Sequence, residues 1–176
     1  ALIGIGLAAL AIASFFTDRS MAKAATNEKL SITLTGNQWW WDVVYNSDDA
    51  SKTMRTANEL HLPIGIPTRV LLNSNDVIHS LWIPNLHGKR DLIPGRVNKL
   101  YIQADRAGVY RGQCAEYCGL QHAHMDFVVV AQSPEEFRTW EQGQLQPASS
   151  PHDPAAQVGF AVFQRSACMA CHAIRG

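Results

Sequence analysis

The chain of 176 residues has 15 basic and 15 acidic side chains, so its formal net charge is zero. That balance argues against a nucleic-acid-binding protein, which normally shows a basic excess or a basic stripe. The length suits one domain with additional segments, and a hydrophobic share of 47% is sufficient for a globular core.

The first 16 residues carry no charge. The run is slightly shorter than the roughly 20 apolar residues that a membrane-spanning helix needs, and the chain opens on Ala1 rather than Met. We therefore expect residues 1–19 to be a partial transmembrane helix, cut at its start. A buried core helix is one alternative. A signal peptide is another, although it would normally carry a basic flank before the apolar run.

From residue 30 to residue 130 the pattern changes to short segments rich in alternating apolar residues and broken by Gly, Pro and Asn. The predicted strands are 30–35, 38–45, 59–63, 68–72, 77–83, 97–102, 109–113 and 125–130. Short strands at this spacing are typical of a Greek-key sandwich. We therefore predict a mainly β domain over residues 20–145.

Three consecutive tryptophans lie in the second predicted strand. In a strand, Trp39 and Trp41 would share one face and Trp40 would take the other. Core packing is the ordinary role of such side chains, and we expect it for at least one of the three.

The stretch from Cys114 to Met125 carries the strongest chemical signal. Two thiols, Cys114 and Cys118, are followed by the imidazole of His122 and the thioether of Met125, and Gly119 indicates a loop rather than a helix. Sulfur donors that include a Met favour copper, whereas Met is not a usual ligand of zinc. Two thiolates exceed the needs of a single blue-copper site. Both cysteines on one short loop could instead bridge two coppers.

A pair of coppers needs another imidazole from elsewhere in the chain. His79 is the best candidate, because it lies in the alternating segment 77–83. A histidine on an apolar strand face is more often a packed core residue, but the donors of the loop make ligation the leading role here. We expect His61, His87 and His152 to be surface or packing residues.

With these residues in view, the sequence resembles cytochrome c oxidase subunit II. The resemblance covers roughly residues 1–145 and is carried by three stretches: Cys114-Ala-Glu-Tyr-Cys118-Gly-Leu-Gln-His122-Ala-His-Met125, His79-Ser-Leu-Trp-Ile-Pro and Gly36-Asn-Gln-Trp-Trp-Trp. It implies a cupredoxin-like β-barrel and a binuclear copper (CuA) centre.

The resemblance also implies a ligand set. Both coppers would share the thiolates of Cys114 and Cys118. One copper would add His79 and Met125, and the other would add His122 and the backbone carbonyl of Glu116. His124 is adjacent to Met125, but the spacing in the family uses His122.

Further roles follow from the same resemblance. Trp39 would receive electrons from a haem donor, and Trp40 departs from the Tyr that is usual at the middle of the trio. The side chain of Glu116 would reach a magnesium ion at the interface with subunit I. The segment from Asp91 to Arg96 matches a stretch of the family that faces subunit I, although a surface ion pair is the ordinary alternative.

The C-terminal part of the chain carries a separate signal. Ser133-Pro134-Glu135-Glu136 predicts a helix start with a capping box, and residues 146–154 form a polar, Pro-rich linker. Cys168-Met-Ala-Cys171-His172 has the attachment pattern of haem c. We therefore predict that residues 155–176 are the N-terminal fragment of a cytochrome c domain that is truncated here. Two disulfides are the alternative explanation of the four cysteines.

The function these features predict is electron entry into a haem–copper cytochrome c oxidase of the variant with a fused cytochrome c. Electrons would pass from haem c through CuA to subunit I, where oxygen is reduced to water. The predicted partners are subunit I, the other oxidase subunits, a cytochrome c donor and the membrane. The predicted location is the bacterial inner membrane, with the copper domain on the periplasmic face.

Three other functions share some of these features. A nitric oxide or nitrous oxide reductase also uses such a copper module, but the apolar N-terminus, the haem motif and the 91–96 segment speak against the nitrous oxide enzyme. A copper carrier would not need the tryptophan trio or the haem motif. A quinol oxidase subunit of similar fold would lack the copper ligands.

Overall fold

The computed structural model describes residues 2–26 and 28–174, and the chain divides into two compact units, Ala1–Arg138 and Thr139–Gly176. Within the predicted segments 1–19 and 155–176, residue 1 and residues 175–176 lie outside the described part. The first unit contains a long helix and a β-sandwich. The second contains the rest of a short helix and the segment that carries the haem motif.

The N-terminal helix α1, Leu2–Thr26, contains a stretch that is long and apolar enough to cross a membrane. That stretch is Leu2–Ser20, with a mean hydropathy of 1.5, and none of it is buried. Full exposure of so many apolar side chains is the opposite of what a core helix would show. The helix continues past residue 19, where the sequence pattern placed its end.

Within the described residues, ten strands follow α1 and form two five-stranded sheets. Their bounds are Leu30–Asn37 (β1), Trp40–Tyr45 (β2), Met54–Ala57 (β3), Glu59–Pro63 (β4), Thr68–Ser74 (β5), His79–Ile83 (β6), His87–Leu92 (β7), Asn98–Ile102 (β8), Gly108–Cys114 (β9) and Asp126–Gln132 (β10). One sheet has the order β3-β2-β1-β5-β8 and the other β4-β10-β9-β6-β7. The pairs β1–β5 and β4–β10 are parallel, and the other pairs are antiparallel. The prediction of a mainly β sandwich is confirmed.

Alternation along β1 explains how the sandwich forms its core. Ile32 and Leu34 are fully buried, whereas the alternate residues Thr33 and Thr35 point to the other side of the sheet. Burying an Ile or Leu side chain stabilises the fold by about 1.5–3 kcal/mol. Because this side-chain period is two residues, a shift of one residue in register would expose the whole apolar set.

Two strands are absent from the predicted set, because β3 is very short and both β3 and β7 carry charged side chains. β3 has four residues, and its Arg55 forms a paired hydrogen bond with Asp42 of β2, with distances of 2.6 and 2.8 Å. β7 reads His-Gly-Lys-Arg-Asp-Leu and lies at the edge of its sheet. Charged residues are typical of edge strands, and they carry no alternating apolar signal.

The tryptophan trio differs from the prediction at its first residue. Trp39 lies in the turn between β1 and β2 rather than in a strand, so it does not share a strand face with Trp41. Trp41 is fully buried, and its ring centroid lies 5.4 Å from that of Phe127 and 6.2 Å from that of His79. Trp40 is exposed. Core packing therefore applies to Trp41.

The helix α2, Pro134–Gln144, begins where the sequence predicts it. The amide and hydroxyl groups of Ser133 donate to the Glu136 carboxylate at 2.8 and 2.7 Å, and the Glu136 amide donates back to the Ser133 hydroxyl at 3.2 Å. This is the predicted capping box. Phe137 is buried with its ring centroid 6.4 Å from that of Tyr45, which packs the helix start against the sandwich.

The second unit contains the helix α3, Pro154–Arg165, and a short 3-10 turn, Ala167–Ala170. The side chain of Asp153 caps α3 by accepting a hydrogen bond from the Ala156 amide at 3.0 Å. Pro154 occupies the first turn, where its missing N–H costs nothing.

Candidate metal centre

Strand pairing brings the sulfur and imidazole donors to one end of the second sheet. Cys114 is the last residue of β9 and His79 is the first of β6, and these strands pair in antiparallel fashion with Leu81 opposite Cys114. Met125 lies immediately before β10, the other antiparallel neighbour of β9. In an antiparallel pair, the first residue of one strand lies beside the last residue of its neighbour, at the same end of the strands. Residues far apart in sequence are therefore adjacent in the fold.

Cys114 has donors on two sides. Its Sγ lies 3.9 Å from Nδ1 of His79, 3.2 Å from the carbonyl oxygen of Glu116 and 3.8 Å from Sγ of Cys118. A disulfide bond would hold the sulfurs at roughly 2.0 Å. Both cysteines are therefore free thiols, which is the opposite of the disulfide alternative.

Cys118 has a second pair of donors. Its Sγ lies 3.5 Å from Nδ1 of His122 and 3.7 Å from Sδ of Met125. Met125 is almost fully buried, whereas His122 is partly exposed at the rim. The two thiols thus stand between two imidazole nitrogens, a thioether and a carbonyl oxygen, which is the soft donor set that copper favours.

The interior of the cluster is shielded from solvent. His79 has no exposed surface, and Cys114 and Cys118 are 6% and 2% exposed. One donor atom from each of these three residues lies within 4.8 Å of the others. A buried group of this kind would hold a cation with little competition from bulk water.

His79 is oriented by a carboxylate behind it. Its Nε2 lies 2.7 Å from Oδ1 of Asp76. An imidazole that donates from Nε2 presents the lone pair of Nδ1, and here Nδ1 faces Cys114. Burial lowers the pKa of His79, but its hydrogen bonds to Cys114 and Asp76 raise that pKa by more.

The two thiols differ in acidity because they are adjacent. Burial raises the pKa of Cys114, but the interaction with His79 and nearby backbone groups outweighs burial and leaves that pKa below its ordinary value. Burial and the neighbouring Cys114 sulfur both raise the pKa of Cys118. The pair therefore carries one negative charge readily and a second only with a cation nearby, since a coordinating metal deprotonates thiols.

The turn between β1 and β2 closes the site from the opposite sheet. The Trp39 indole N–H donates to the carbonyl of Cys118 at 3.1 Å, and the Gln38 amide donates to the same oxygen at 2.8 Å. Gly119 has φ +116°, and a Cβ there would lie 3.0 Å from Nε2 of Gln38. A glycine is therefore required at this crossing of the two loops.

Residues 30–132 match the family model described as cytochrome c oxidase subunit II, periplasmic domain. The chain belongs to this subunit II family. A curated subunit 2 from Alkalihalophilus pseudofirmus is 34% identical over 161 residues, which cover 92% of this chain and 46% of the relative. One from Arabidopsis thaliana is 34% identical over 160 residues, covering 78% and 62%. The chain thus spans about half the length of these relatives.

A solved structure agrees with the family assignment. The periplasmic domain of subunit II of cytochrome oxidase (CoxB) from Bradyrhizobium japonicum superposes with a TM-score of 0.61 at 30% identity. The match covers 66% of this chain and 94% of that domain. The predicted cupredoxin-like fold of a subunit II periplasmic domain is therefore confirmed.

The remaining histidines of the copper domain lie outside the cluster. His124 is exposed at the end of the loop. His61 is buried, with its ring nitrogens 2.8 Å from Gln132 and 2.7 Å from Glu59, so it is a packing residue. His87 is half-buried on β7.

Two contacts that orient the cluster were not identified from the sequence. Asp76 lies three residues before His79. A carboxylate this near a candidate histidine ligand could have been predicted from the sequence to orient that histidine. The contact of Gln38 with Cys118 could not be predicted from the sequence, because the two residues are 80 positions apart.

Of the residues assigned to subunit I contacts, Glu116 and Arg96 are exposed and Asp91 is half-buried. Asp91 accepts a hydrogen bond from the Ser80 hydroxyl at 2.8 Å. In the second unit, Cys168 and Cys171 are exposed free thiols on one turn. The His172 amide donates to the Cys168 carbonyl at 2.9 Å, which keeps the three residues of the motif close together.

Proposed function

We propose that this chain binds a binuclear copper centre and delivers electrons to a haem–copper oxidase. Cys114 and Cys118 would bridge both ions. His79 and Met125 would complete the ligands of one ion, and His122 with the carbonyl of Glu116 would complete those of the other, as the family resemblance implies. The observation that carries the proposal is the convergence of these six donors, with each non-cysteine donor 3.2–3.9 Å from a cysteine sulfur.

The residues present fit such a centre. When bound, a binuclear copper centre supplies a one-electron redox couple whose charge is shared between two ions. The chain supplies soft donors that suit copper in both of its common oxidation states. Asp76 holds the His79 ring, and burial of Cys118 and Met125 excludes water. Ligands held in this way move little when the charge changes, which suits electron transfer.

Trp39 is the proposed point of electron entry. Its ring is partly exposed, and its indole N–H contacts the carbonyl of Cys118. One aromatic side chain thereby reaches both solvent and the backbone of a bridging ligand. This contact favours Trp39 over Trp40, which is exposed on β2, and over Trp41, which is buried in the core.

We extend the proposal to the whole protein as an electron-entry subunit that passes electrons to subunit I for the reduction of oxygen to water. Membership of the subunit II family and the exposed apolar stretch Leu2–Ser20 support it. The helix would anchor the domain at the periplasmic face of a bacterial inner membrane. Subunit I, the other oxidase subunits and a cytochrome c donor are the proposed partners.

A covalently attached haem c in the second unit is a further part of the proposal. Cys168, Cys171 and His172 lie on one exposed turn, as attachment to a haem requires. An open apolar cavity of about 520 Å³ lies beside this turn and is lined by Phe160, Phe163, Met169 and other residues of the same unit. We also propose that the exposed Glu116 carboxylate contributes to a magnesium site when subunit I is bound.

Metal analysis of the chain reconstituted with copper tests the central claim. We expect two coppers per chain and a low-temperature electron spin resonance spectrum in which one unpaired electron is split by two copper nuclei. A single copper, or retention of zinc alone, would remove the proposal. His124→Ala is the matched control, because this exposed loop histidine should leave the copper content and spectrum unchanged.

A further inference from the structure

Three hydrogen bonds in series join His79 to Cys118 through the turn between β1 and β2. Nε2 of His79 lies 2.7 Å from Oδ1 of Asp76, the Gln38 backbone N–H donates to Oδ2 of Asp76 at 2.7 Å, and the Gln38 side-chain amide donates to the Cys118 carbonyl at 2.8 Å. We propose that Gln38 is a positioning residue for the copper centre. The inference rests on the copper function proposed above.

The two ends of this series belong to β6 and to the loop that follows β9. β6 and β9 pair at Leu81–Cys114 and Trp82–Gln113, and the Ala115 amide donates to the Ser80 carbonyl at 2.9 Å just beyond these pairs. After Cys114 the chain leaves the sheet, so β-sheet hydrogen bonds no longer set the place of Cys118. The side chains of Gln38 and Trp39 meet its carbonyl instead and connect the loop to the other sheet.

Gln38 makes two contacts with the cluster, one through its backbone and one through its side chain. Its backbone N–H contacts the carboxylate that holds His79, and its side chain contacts the segment that holds the Cys118 sulfur. A change at this side chain therefore alters the distance between ligands from two segments. The residue itself is exposed, so its side chain contributes little to the core.

Replacing the Gln38 side chain tests whether it affects copper binding without affecting the stability of the fold. Gln38→Met keeps the length and the backbone N–H but removes the donor to Cys118. Residues that orient metal ligands typically contribute about 10- to 100-fold in metal affinity. We expect copper affinity to fall by a factor in that range, and the midpoint potential and copper hyperfine splitting to shift, while the unfolding temperature of the metal-free chain stays the same.

The chain offers a matched control in Gln103→Met. Gln103 is also exposed, and its side-chain amide also donates one hydrogen bond, to Asp105 at 2.8 Å, in the loop after β8. Copper affinity and spectrum should be unchanged in this variant. A second test variant, Gln38→Glu, places a carboxylate against the Cys118 carbonyl, and we expect it to weaken copper binding as well.

The outcomes distinguish this inference from the copper function. If the wild-type chain fails to bind two coppers, the proposed function is wrong. If it binds them and both Gln38 variants match Gln103→Met in affinity, potential and spectrum, the positioning role is wrong. In the metal-free chain, the carbonyl carbon chemical shift of Cys118 should change in Gln38→Met, and an unchanged shift would also overturn the inference.

Discussion

Gly36 and His79 lie on strands of different sheets and are in direct contact across the sandwich. A Cβ on Gly36 would lie 2.7 Å from Cδ2 and 3.0 Å from Cγ of the His79 imidazole. The ring is enclosed further by Trp41, at a centroid distance of 6.2 Å, and by the Asp76 carboxylate. The absence of a side chain at position 36 therefore creates the space that the imidazole occupies.

The first prediction concerns this contact. Gly36→Ala should displace the His79 ring from its present position beside Cys114, because the backbone of β1 is paired on both sides and resists movement. Overpacking of this kind costs about 1–3 kcal/mol. We expect weaker copper binding and an altered copper spectrum, measured by titration and electron spin resonance. Gly88→Ala on β7 is the control, since its Cβ would meet nothing within 4 Å.

The second prediction concerns electron entry. Trp39→Phe removes the indole N–H that contacts the Cys118 carbonyl and reduces the aromatic surface. Reduction of the copper centre by a haem c donor should slow in stopped-flow measurements, while the copper content stays at its wild-type value. Trp40→Phe should leave the rate unchanged, because Trp40 lies on β2 outside the cluster. Equal rates in Trp39→Phe and the wild type would exclude Trp39.

The third prediction concerns the core beneath the site. A Cβ on Gly112 would lie 2.1 Å from Cε1 and Cζ of Phe127, whose ring packs against Trp41. Gly112→Ala should lower stability by about 1–3 kcal/mol, a fall of several degrees in unfolding temperature for a domain of this size. Calorimetry measures it. Adding Phe127→Leu should recover part of the loss, and no recovery would show that the ring is not the cause.

The fourth prediction concerns haem. In a host that attaches haem c, the wild-type chain should give a haem-stained band that persists under denaturing conditions. The double change Cys168→Ala and Cys171→Ala should abolish that band, because covalent attachment needs these thiols. Met169→Leu between them should retain it. A band that is lost from the wild-type chain on denaturation would contradict the haem proposal.

Much of the fold could be predicted because its signals are local. Alternation in the segment 30–35 was sufficient to identify β1, and the Ser133–Glu136 spacing was sufficient to identify the start of α2. β7 could not be predicted in this way, because it forms by backbone pairing with β6 and its side chains are polar. Val77 shows the converse error, since it continues the alternation of the predicted strand but lies outside β6 and is exposed.

The amino-acid sequence alone was sufficient to predict the kind of ligand atoms at the candidate site. Two thiols, a thioether and an imidazole on one loop predict a soft metal site from residue type and spacing. Tertiary structure alone decided how that site is assembled. Contacts between different sheets, such as those of Gly36 with His79 and of Gln38 with Cys118, depend on how the sheets pack, and no local pattern in the sequence encodes that packing.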